Sequence, residues 1–341
     1  MKACVYEKTG KVGLREVELE KLGNDEIRIK VAYCAICATD AHVVNHDMFN
    51  PSPGLVLGHE VSGIVSEVGP DAEDAGFQVG DLVVGSPLRN CGHCEQCKKG
   101  NGQYCTSFKD MKFGGMAEYK VYNKRNLYHI PRGLSLRDAC LVEPLSCVMR
   151  CMDLTQIQQG QTVCLSGTGG IGLLMLQAIR MRGAAEITVI EPVKEKHELA
   201  RKLGAEHVID PFKDNIIEKS MRITNGEGFD VVIEASGARS AAAPCLDIVA
   251  KCGTVTYFAV FPEDYELSLN LFKLYSKEAR IQTVYTNPLI YPRAVRFAKQ
   301  LNLDAVIGAE FPLEDCEAAF DAFATKKYPK IILRCADDLP G

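Results

Sequence analysis

The sequence predicts an α/β protein in two parts, a β-rich first third followed by a doubly wound parallel sheet. Up to about residue 145, β-branched or alternating runs are separated by clusters of Gly, Pro, Asn and Asp. Beyond that point, short apolar strands alternate with helices over about 140 residues, which is the pattern of a parallel, doubly wound sheet. A chain of 341 residues is long enough for two such domains.

The first part is predicted to form a closed or partly closed β structure, because it contains several short strands and few helices. Gly69-Pro70-Asp71 and Gly80-Asp81 are typical of the turns that join such strands. The predicted strands cover residues 3–6, 26–35, 60–68, 81–84 and 117–121.

The second part is predicted to contain the parallel sheet. Residues 170–182 carry apolar side chains at helical spacing, and residues 194–203 form an amphipathic helix that ends at Gly204. The predicted strands cover residues 162–166, 187–190, 207–209, 230–234, 254–259 and 280–284. Beyond about residue 288 the pattern predicts helices over 293–301 and 313–325 and a strand over 330–333.

Composition excludes several classes of function. Lys and Arg number 39 and Asp and Glu 44, so the net charge is −5, and no basic surface for nucleic acid or an anionic membrane is expected. The sequence has no apolar run that approaches about 18 residues, and its first residues lack the apolar core of a signal peptide. Fifteen cysteines without a secretion signal are expected to stay reduced in a cytoplasmic protein, as thiols or metal ligands.

A glycine-rich segment predicts a dinucleotide site. Gly167, Gly169 and Gly172 fit G-x-G-x-x-G, with Gly170 and Ile171 between the last two, and the segment follows a predicted strand and opens a predicted helix. Such a turn lets a pyrophosphate approach the backbone at a helix N-terminus. The alternative is a glycine-rich turn that binds nothing.

The residues after the next predicted strand bear on the choice of cofactor. Glu191 ends that strand, where an acid accepts hydrogen bonds from the adenosine ribose, so NAD is favoured over NADP. Lys194 and Lys196 lie nearby and leave dual use open.

Four cysteines predict a structural zinc site. Cys91, Cys94, Cys97 and Cys105 lie within fifteen residues, and the residues between them are too polar to form a core. Four thiolates close the coordination of zinc and leave no position for a substrate. An iron–sulfur cluster is the alternative, although the last gap is seven residues and no Pro follows Cys105.

Further motifs carry a family resemblance that extends over nearly the whole chain. They are, in order, Cys37-Ala38-Thr39-Asp40-Ala41-His42, Gly58-His59-Glu60, the four cysteines, Gly114-Gly115-Met116-Ala117-Glu118-Tyr119, Glu143-Pro144-Leu145 and the glycine segment. This order resembles the zinc-dependent medium-chain dehydrogenase/reductase family, and most of all its polyol, or sorbitol-type, branch. The resemblance implies a GroES-like catalytic domain of residues 1–146 and 286–341, and an inserted Rossmann NAD-binding domain of residues 147–285.

The resemblance also implies the roles of individual residues. Cys37 and His59 match the ligands of a catalytic zinc, and Glu60 matches the neighbour that ligates the metal or exchanges onto it. Glu143 stands where the polyol branch has a glutamate that ligates zinc or binds its water. Thr39 and His42 match the proton relay.

Other interpretations of these residues stay open. His59 could be a buried core residue, and Glu143 could be a carboxylate at a helix start. Cys34 and Cys37 form a C-x-x-C pair that could be a redox disulfide.

The resemblance implies an oxidoreductase that holds two zinc ions per chain and transfers a hydride between a secondary alcohol and NAD. The expected substrate is a polyol, which could be phosphorylated, cyclic or amino-substituted, because Thr286 stands where animal sorbitol enzymes have an Arg. The alternatives are threonine or a simple secondary alcohol as substrate, or a non-catalytic NAD-binding protein. Family members are often homodimers or homotetramers, and the sequence does not choose between these two states.

Overall fold

The computed structural model describes residues 1–88, 90–107, 113–287 and 289–338. The chain divides into two compact units, the first made of Met1–Ser146 with Asn287–Gly341 and the second of Cys147–Thr286. The chain therefore returns to the first unit at Asn287, one residue later than the boundary drawn from the sequence. Within the described residues, each helix is too short or too polar to cross a membrane.

The strands are labelled in chain order. They are β1 (Lys2–Lys8), β2 (Lys11–Glu16), β3 (Glu26–Ala35), β4 (Glu60–Val68), β5 (Leu82–Gly85), β6 (Tyr119–Asn123), β7 (Leu127–His129), β8 (Thr162–Ser166), β9 (Glu186–Ile190), β10 (His207–Ile209), β11 (Phe229–Glu234), β12 (Val249–Tyr257), β13 (Arg280–Thr283), β14 (Ile307–Pro312) and β15 (Lys330–Arg334).

The α-helices are labelled in the same way. They are α1 (Ala38–His46), α2 (Glu95–Lys98), α3 (Leu136–Ala139), α4 (Val142–Thr155), α5 (Gly170–Met181), α6 (Lys194–Lys202), α7 (Ile216–Ile223), α8 (Arg239–Ile248), α9 (Leu271–Lys277), α10 (Tyr291–Ala298) and α11 (Cys316–Ala324).

Strand β3 organises the sheet of the first unit. It pairs with β4 along one side, and along the other with β6 over its first half and β15 over its last three residues. Ile27, Ile29 and Val31 alternate along β3 and are fully buried in the core, as expected for a strand with one face on the interior. Ala35 is the register partner of both Glu60 and Ile332, so the starts of β4 and β15 flank the same end of β3.

The second unit contains the parallel sheet. Its order is β10-β9-β8-β11-β12-β13, and all of its pairs are parallel, so the predicted doubly wound sheet is confirmed. Val163, Cys164 and Leu165 of β8 are fully buried, as both faces of a central parallel strand are covered. The chain order reverses between β8 and β11, which is where ligands bind in open α/β sheets.

Several elements differ from those predicted. The sequence pattern does not predict strands β2, β7 and β14, because β7 has three residues and β2 and β14 have mixed burial without regular alternation. Strand β12 begins at Val249 rather than residue 254, and its pairing with β11 shifts register between Phe229 and Val231. Such an irregularity interrupts the period-2 pattern on which the prediction relied.

Candidate active site and dinucleotide loop

A buried carboxylate joins the loop of Cys37 to the loop of His59. Cys37 precedes α1, and Asp40 in the first turn of α1 accepts the backbone amide of Cys37 at 2.9 Å through Oδ2. Its other oxygen, Oδ1, accepts the amide of Gly58 at 3.0 Å. Gly58 has a φ of +86°, and a Cβ there would lie 2.6 Å from Cys34 Sγ, so only glycine fits. Asp40 thus fixes the spacing of the two loops.

Three potential metal ligands meet at this point. The donor atoms of Cys37, His59 and Glu60 all lie within 4.8 Å of one another. The imidazole Nδ1 of His59 lies 3.5 Å from Asp40 Oδ1, an arrangement in which the carboxylate orients the ring and leaves its other nitrogen for a metal. Glu60 Oε2 is buried and has no hydrogen-bond partner among the described residues. A thiolate, an imidazole and a carboxylate with such an unpartnered oxygen fit zinc.

The protonation of His59 depends on its neighbours. Burial works against the charged imidazole, but attraction and hydrogen bonding to Asp40, with a further contribution from Cys37, raise the pKa of His59 well above its usual value. A metal ion needs the neutral ring, so binding must release the proton that this environment retains.

Glu60 is paired with a lysine from β15. Lys330 Nζ lies 2.6 Å from Glu60 Oε1, and the exposed fractions of the two residues are 5% and 0%. Burial disfavours the charge on Lys330, yet the attraction of Glu60 keeps the pKa of that ammonium above its ordinary value. One oxygen of Glu60 is therefore engaged and the other is available to a cation.

Glu143 lies in the first turn of α4, so it does occupy a helix start. Its Oε1 accepts Asn287 Nδ2 at 3.3 Å, and burial raises the pKa of Glu143 to about 7. Glu143 is not part of the three-residue set whose donor atoms lie within 4.8 Å of one another. Its role as a ligand stays a prediction.

The two relay candidates lie on α1. Thr39 Oγ1 is 3.6 Å from Cys37 Sγ, so its hydroxyl borders the three-ligand set. His42 is half-buried, and its ring centroid lies 5.7 Å from that of His46 one turn later. Burial, and then the charge of His46, lower the pKa of His42, which favours the neutral, proton-accepting ring.

The four cysteines form a second, separate set, in which all four sulfur atoms lie within 4.8 Å of one another. Cys91 Sγ and Cys97 Sγ are 3.9 Å apart, and Cys94 Sγ and Cys105 Sγ are 4.0 Å apart. A tetrahedron with zinc–sulfur bonds of about 2.3 Å has edges of about 3.8 Å, so one ion fits. The backbone amide of Cys97 donates to Cys94 Sγ and, with Thr106, lowers the pKa of Cys94 to about 5, which favours the thiolate.

The glycine segment lies in the loop between β8 and α5. Gly167 has a φ of +97°, and a Cβ there would come within about 3 Å of Ser236, which follows β11. A Cβ on Gly172 would lie 2.1 Å from Gly167 O, whereas one on Gly169 would meet no described atom within 4 Å. The loop is therefore tight on one side and open on the other, which fits a pyrophosphate at the N-terminus of α5. Gly170 and Ile171 form the first turn of α5.

Glu191 follows β9 and is 3% exposed. Its carboxylate accepts hydrogen bonds from Thr168 in the glycine loop and from the amide of Val193. Lys196 lies in the first turn of α6 and is 8% exposed.

Three buried polar residues of this region had not been identified from the sequence. They are Asp40, Asn287 and Lys330. Asp40 had one local signal, since an acid three residues after a helix N-cap is typical of a capping box. Asn287 and Lys330 form hydrogen bonds with residues 144 and 270 positions away, and no local sequence pattern predicts such contacts.

Comparison with known proteins places both units in one family. Residues 23–132 match the model of the alcohol dehydrogenase GroES-like domain, and residues 170–300 match that of the zinc-binding dehydrogenase domain. An L-threonine 3-dehydrogenase from Pyrococcus horikoshii is 33% identical over 94% of this chain and 94% of its own. A sorbitol dehydrogenase from Bacillus subtilis is 29% identical over 94% of this chain and 93% of its own. A solved structure from Sinorhizobium meliloti, described as a zinc-binding dehydrogenase bound to NADP, is 29% identical, has a TM-score of 0.92 and covers 98% of both chains.

Proposed function

We propose that this chain, which belongs to the zinc-dependent medium-chain dehydrogenase family, transfers a hydride between a secondary alcohol group of a polyol and NAD. The observation that carries the proposal is the convergence of Cys37, His59 and Glu60 on one point. When bound, zinc supplies a Lewis acid for the alcohol oxygen and NAD supplies the hydride acceptor.

The protein's own residues handle the proton and the charges. Thr39 offers a hydroxyl beside Cys37, and the half-buried, neutral ring of His42 accepts the proton that the alcohol loses. Lys330 pairs with one oxygen of Glu60, so the charge of Glu60 would stay compensated whether or not its other oxygen ligates a metal. Glu143, whose carboxyl accepts a hydrogen bond from Asn287, would hold a water or a substrate hydroxyl.

A neutral polyol suits the surroundings of Cys37, His59 and Glu60 better than an amino acid does. Threonine carries a carboxylate, whose recognition calls for a free cation. Among the described residues around the three ligands, the buried ammonium of Lys330 is already paired with Glu60, and that of Lys120 donates to the backbone carbonyl of Phe113. Two further buried groups there, Asp40 and Glu143, are acids.

The test is a substrate panel read by the absorbance of reduced cofactor. The panel contains hexitols, pentitols, their phosphates, L-threonine and simple secondary alcohols, each with NAD and with NADP. We expect turnover of a polyol with NAD, loss of turnover in Cys37→Ser, and full activity in Cys252→Ser, an exposed thiol. Preferential turnover of L-threonine would replace the polyol assignment, and full activity of Cys37→Ser would remove the catalytic metal site.

We further propose that the protein works as a homodimer or homotetramer. In the described part of the chain β13 pairs only with β12, so its outer backbone edge is open to a second strand. Leu271, Phe272 and Tyr275 of the adjoining α9 are 72%, 77% and 82% exposed. Sedimentation analysis of the wild type and of Phe272→Asp tests this, because a monomeric wild type would contradict it.

A further inference from the structure

Thr168 and Glu191 link the two loops that follow β8 and β9. Glu191 Oε2 accepts the backbone amide of Thr168 at 2.9 Å and its hydroxyl at 2.6 Å. Thr168 is fully buried, and it is the first residue after Gly167 in the glycine segment. The residue between the first two glycines thus holds the acid at the end of the next strand.

We infer that Thr168 is a specificity-determining residue for the cofactor: it locks Glu191 in the position that accepts an unmodified ribose and rejects a 2′-phosphate. The inference rests on the proposed use of NAD and goes beyond it, because it assigns a role to a variable position of the glycine pattern.

The rest of the surroundings also immobilise Glu191. Its Oε1 accepts the amide of Val193 at 2.9 Å, its own amide donates to Ile209 O at 3.0 Å, and its carbonyl oxygen lies 2.8 Å from His197 Nε2. A carboxylate that is held at both oxygens and by its backbone cannot turn away without losing charge-assisted hydrogen bonds.

The number of acceptor positions determines what the carboxylate can still bind. An ionised carboxylate has about four lone-pair positions, two on each oxygen. The two hydrogen bonds from Thr168 saturate Oε2, and Val193 takes one position on Oε1. Among the described residues no further donor reaches the Glu191 carboxylate, so one position remains, on Oε1. That position suits one ribose hydroxyl, whereas a 2′-phosphate offers only acceptors and like charge.

Of the three hydrogen bonds to the Glu191 carboxylate, only the one from the Thr168 hydroxyl comes from a side chain, so a substitution can remove it and leave the other two in place. Thr168→Val keeps the size and the backbone amide but loses the side-chain donor to Oε2. The carboxylate can then turn away from an incoming phosphate. We expect the affinity ratio of NAD to NADP to fall about tenfold, the effect of one charge-assisted hydrogen bond.

The chain offers a matched control. Thr188 lies in β9, is fully buried, and its Oγ1 has no hydrogen-bond partner among the described residues. Thr188→Val makes the same chemical change without removing a hydrogen bond, so the ratio should stay unchanged. Thr168→Ser keeps the hydroxyl and should also leave the ratio near that of the wild type.

The experiment measures dissociation constants of NAD and NADP by calorimetry, without any alcohol, for the wild type, these variants, Thr168→Ala and Glu191→Gln. Thr168→Ala also removes the hydroxyl but adds no volume. It therefore tests the role of the hydroxyl if Thr168→Val does not fold. A fall of the ratio in the Thr168→Val or Thr168→Ala protein and in Glu191→Gln, but not in the controls, supports the inference. A fall in Glu191→Gln alone overturns it and leaves the proposed function standing. An unchanged ratio in Glu191→Gln overturns it together with the assigned preference for NAD.

Discussion

Lys330 donates a 2.6 Å hydrogen bond to Glu60 from 270 residues further along the chain, and both side chains are buried. The pairing of β3 with both β4 and β15 creates this contact, because Ala35 is the register partner of Glu60 on one side and of Ile332 on the other. The returning part of the chain therefore supplies the counter-charge of a residue in the candidate metal site.

Removal of this lysine should strongly destabilise the first unit. Lys330→Met leaves the Glu60 carboxylate buried without a partner, which costs about 3–5 kcal/mol in comparable cases. The double variant Glu60→Gln/Lys330→Met should recover much of that loss, because it removes both charges. Urea unfolding followed by circular dichroism measures the difference. Lys2→Met, which breaks an exposed ion pair with Glu314, is the control and should change little. Equal effects of the Lys330 and Lys2 variants would contradict the buried pair.

Asp40 should control the affinity of the three-ligand site for zinc. Asp40→Asn removes the charge that orients His59, and loss of such a partner typically lowers metal affinity about 10–100-fold. Competition with a chromophoric chelator measures the affinity. Asp47→Asn is the matched control, because Asp47 hydrogen-bonds Tyr6 and Thr9 at the other end of α1. If both variants bind zinc like the wild type, Asp40 has no role in the site.

The four-cysteine set should hold its ion independently of the three-ligand set. Cys94→Ser removes one of four sulfur ligands, so zinc content should fall from two ions per chain, one for each set, to one. The thermal midpoint should fall as well, because the polar segment around these cysteines loses the ion that organises it. Elemental analysis and a thermal melt provide the readouts, with Cys252→Ser as the control. Retention of both ions by Cys94→Ser would rule out the assignment.

His46 should set the acidic limit of the proposed alcohol oxidation. Burial and the charge of His46 together hold the pKa of His42 below its usual 6.5, so the neutral, proton-accepting form persists to lower pH. His46→Gln removes the second cause. The pKa of His42 then rises towards its ordinary value, and the acidic limb of the rate profile moves to higher pH. Activity at alkaline pH should be unchanged, since His42 is neutral there in both proteins. His129→Gln, on β7, serves as the control, and a limb that stays in place in His46→Gln would refute the coupling.

Local sequence patterns were sufficient to predict much of the fold. Strands β3, β4, β8 and β10 have the bounds predicted from their alternating or continuous apolar runs. The parallel order could be predicted because strand–helix alternation admits few topologies. Strands β2, β7 and β14 could not, since short or half-exposed segments carry a weak periodic signal.

The candidate site, like the fold, contains residues that the sequence predicts and residues that it does not. The ligands come from motifs that are contiguous in sequence, and the structure brings Cys37, His59 and Glu60 together. Of the residues that hold them, Asp40 lies inside such a motif, whereas Lys330 does not. Lys330 reaches Glu60 through sheet register, which sequence spacing does not encode over 270 residues.

The pairing of β15 with β3 has a consequence for the order of events during synthesis. A ribosome completes residues 147–286 before it adds residue 330, so the nucleotide-binding unit can fold while the rest is still being translated. Until residue 330 is added, Glu60 lacks its ammonium partner. We therefore expect the three-ligand set to bind its metal late in synthesis, and a nascent chain arrested before residue 330 to hold zinc only through its four thiolates.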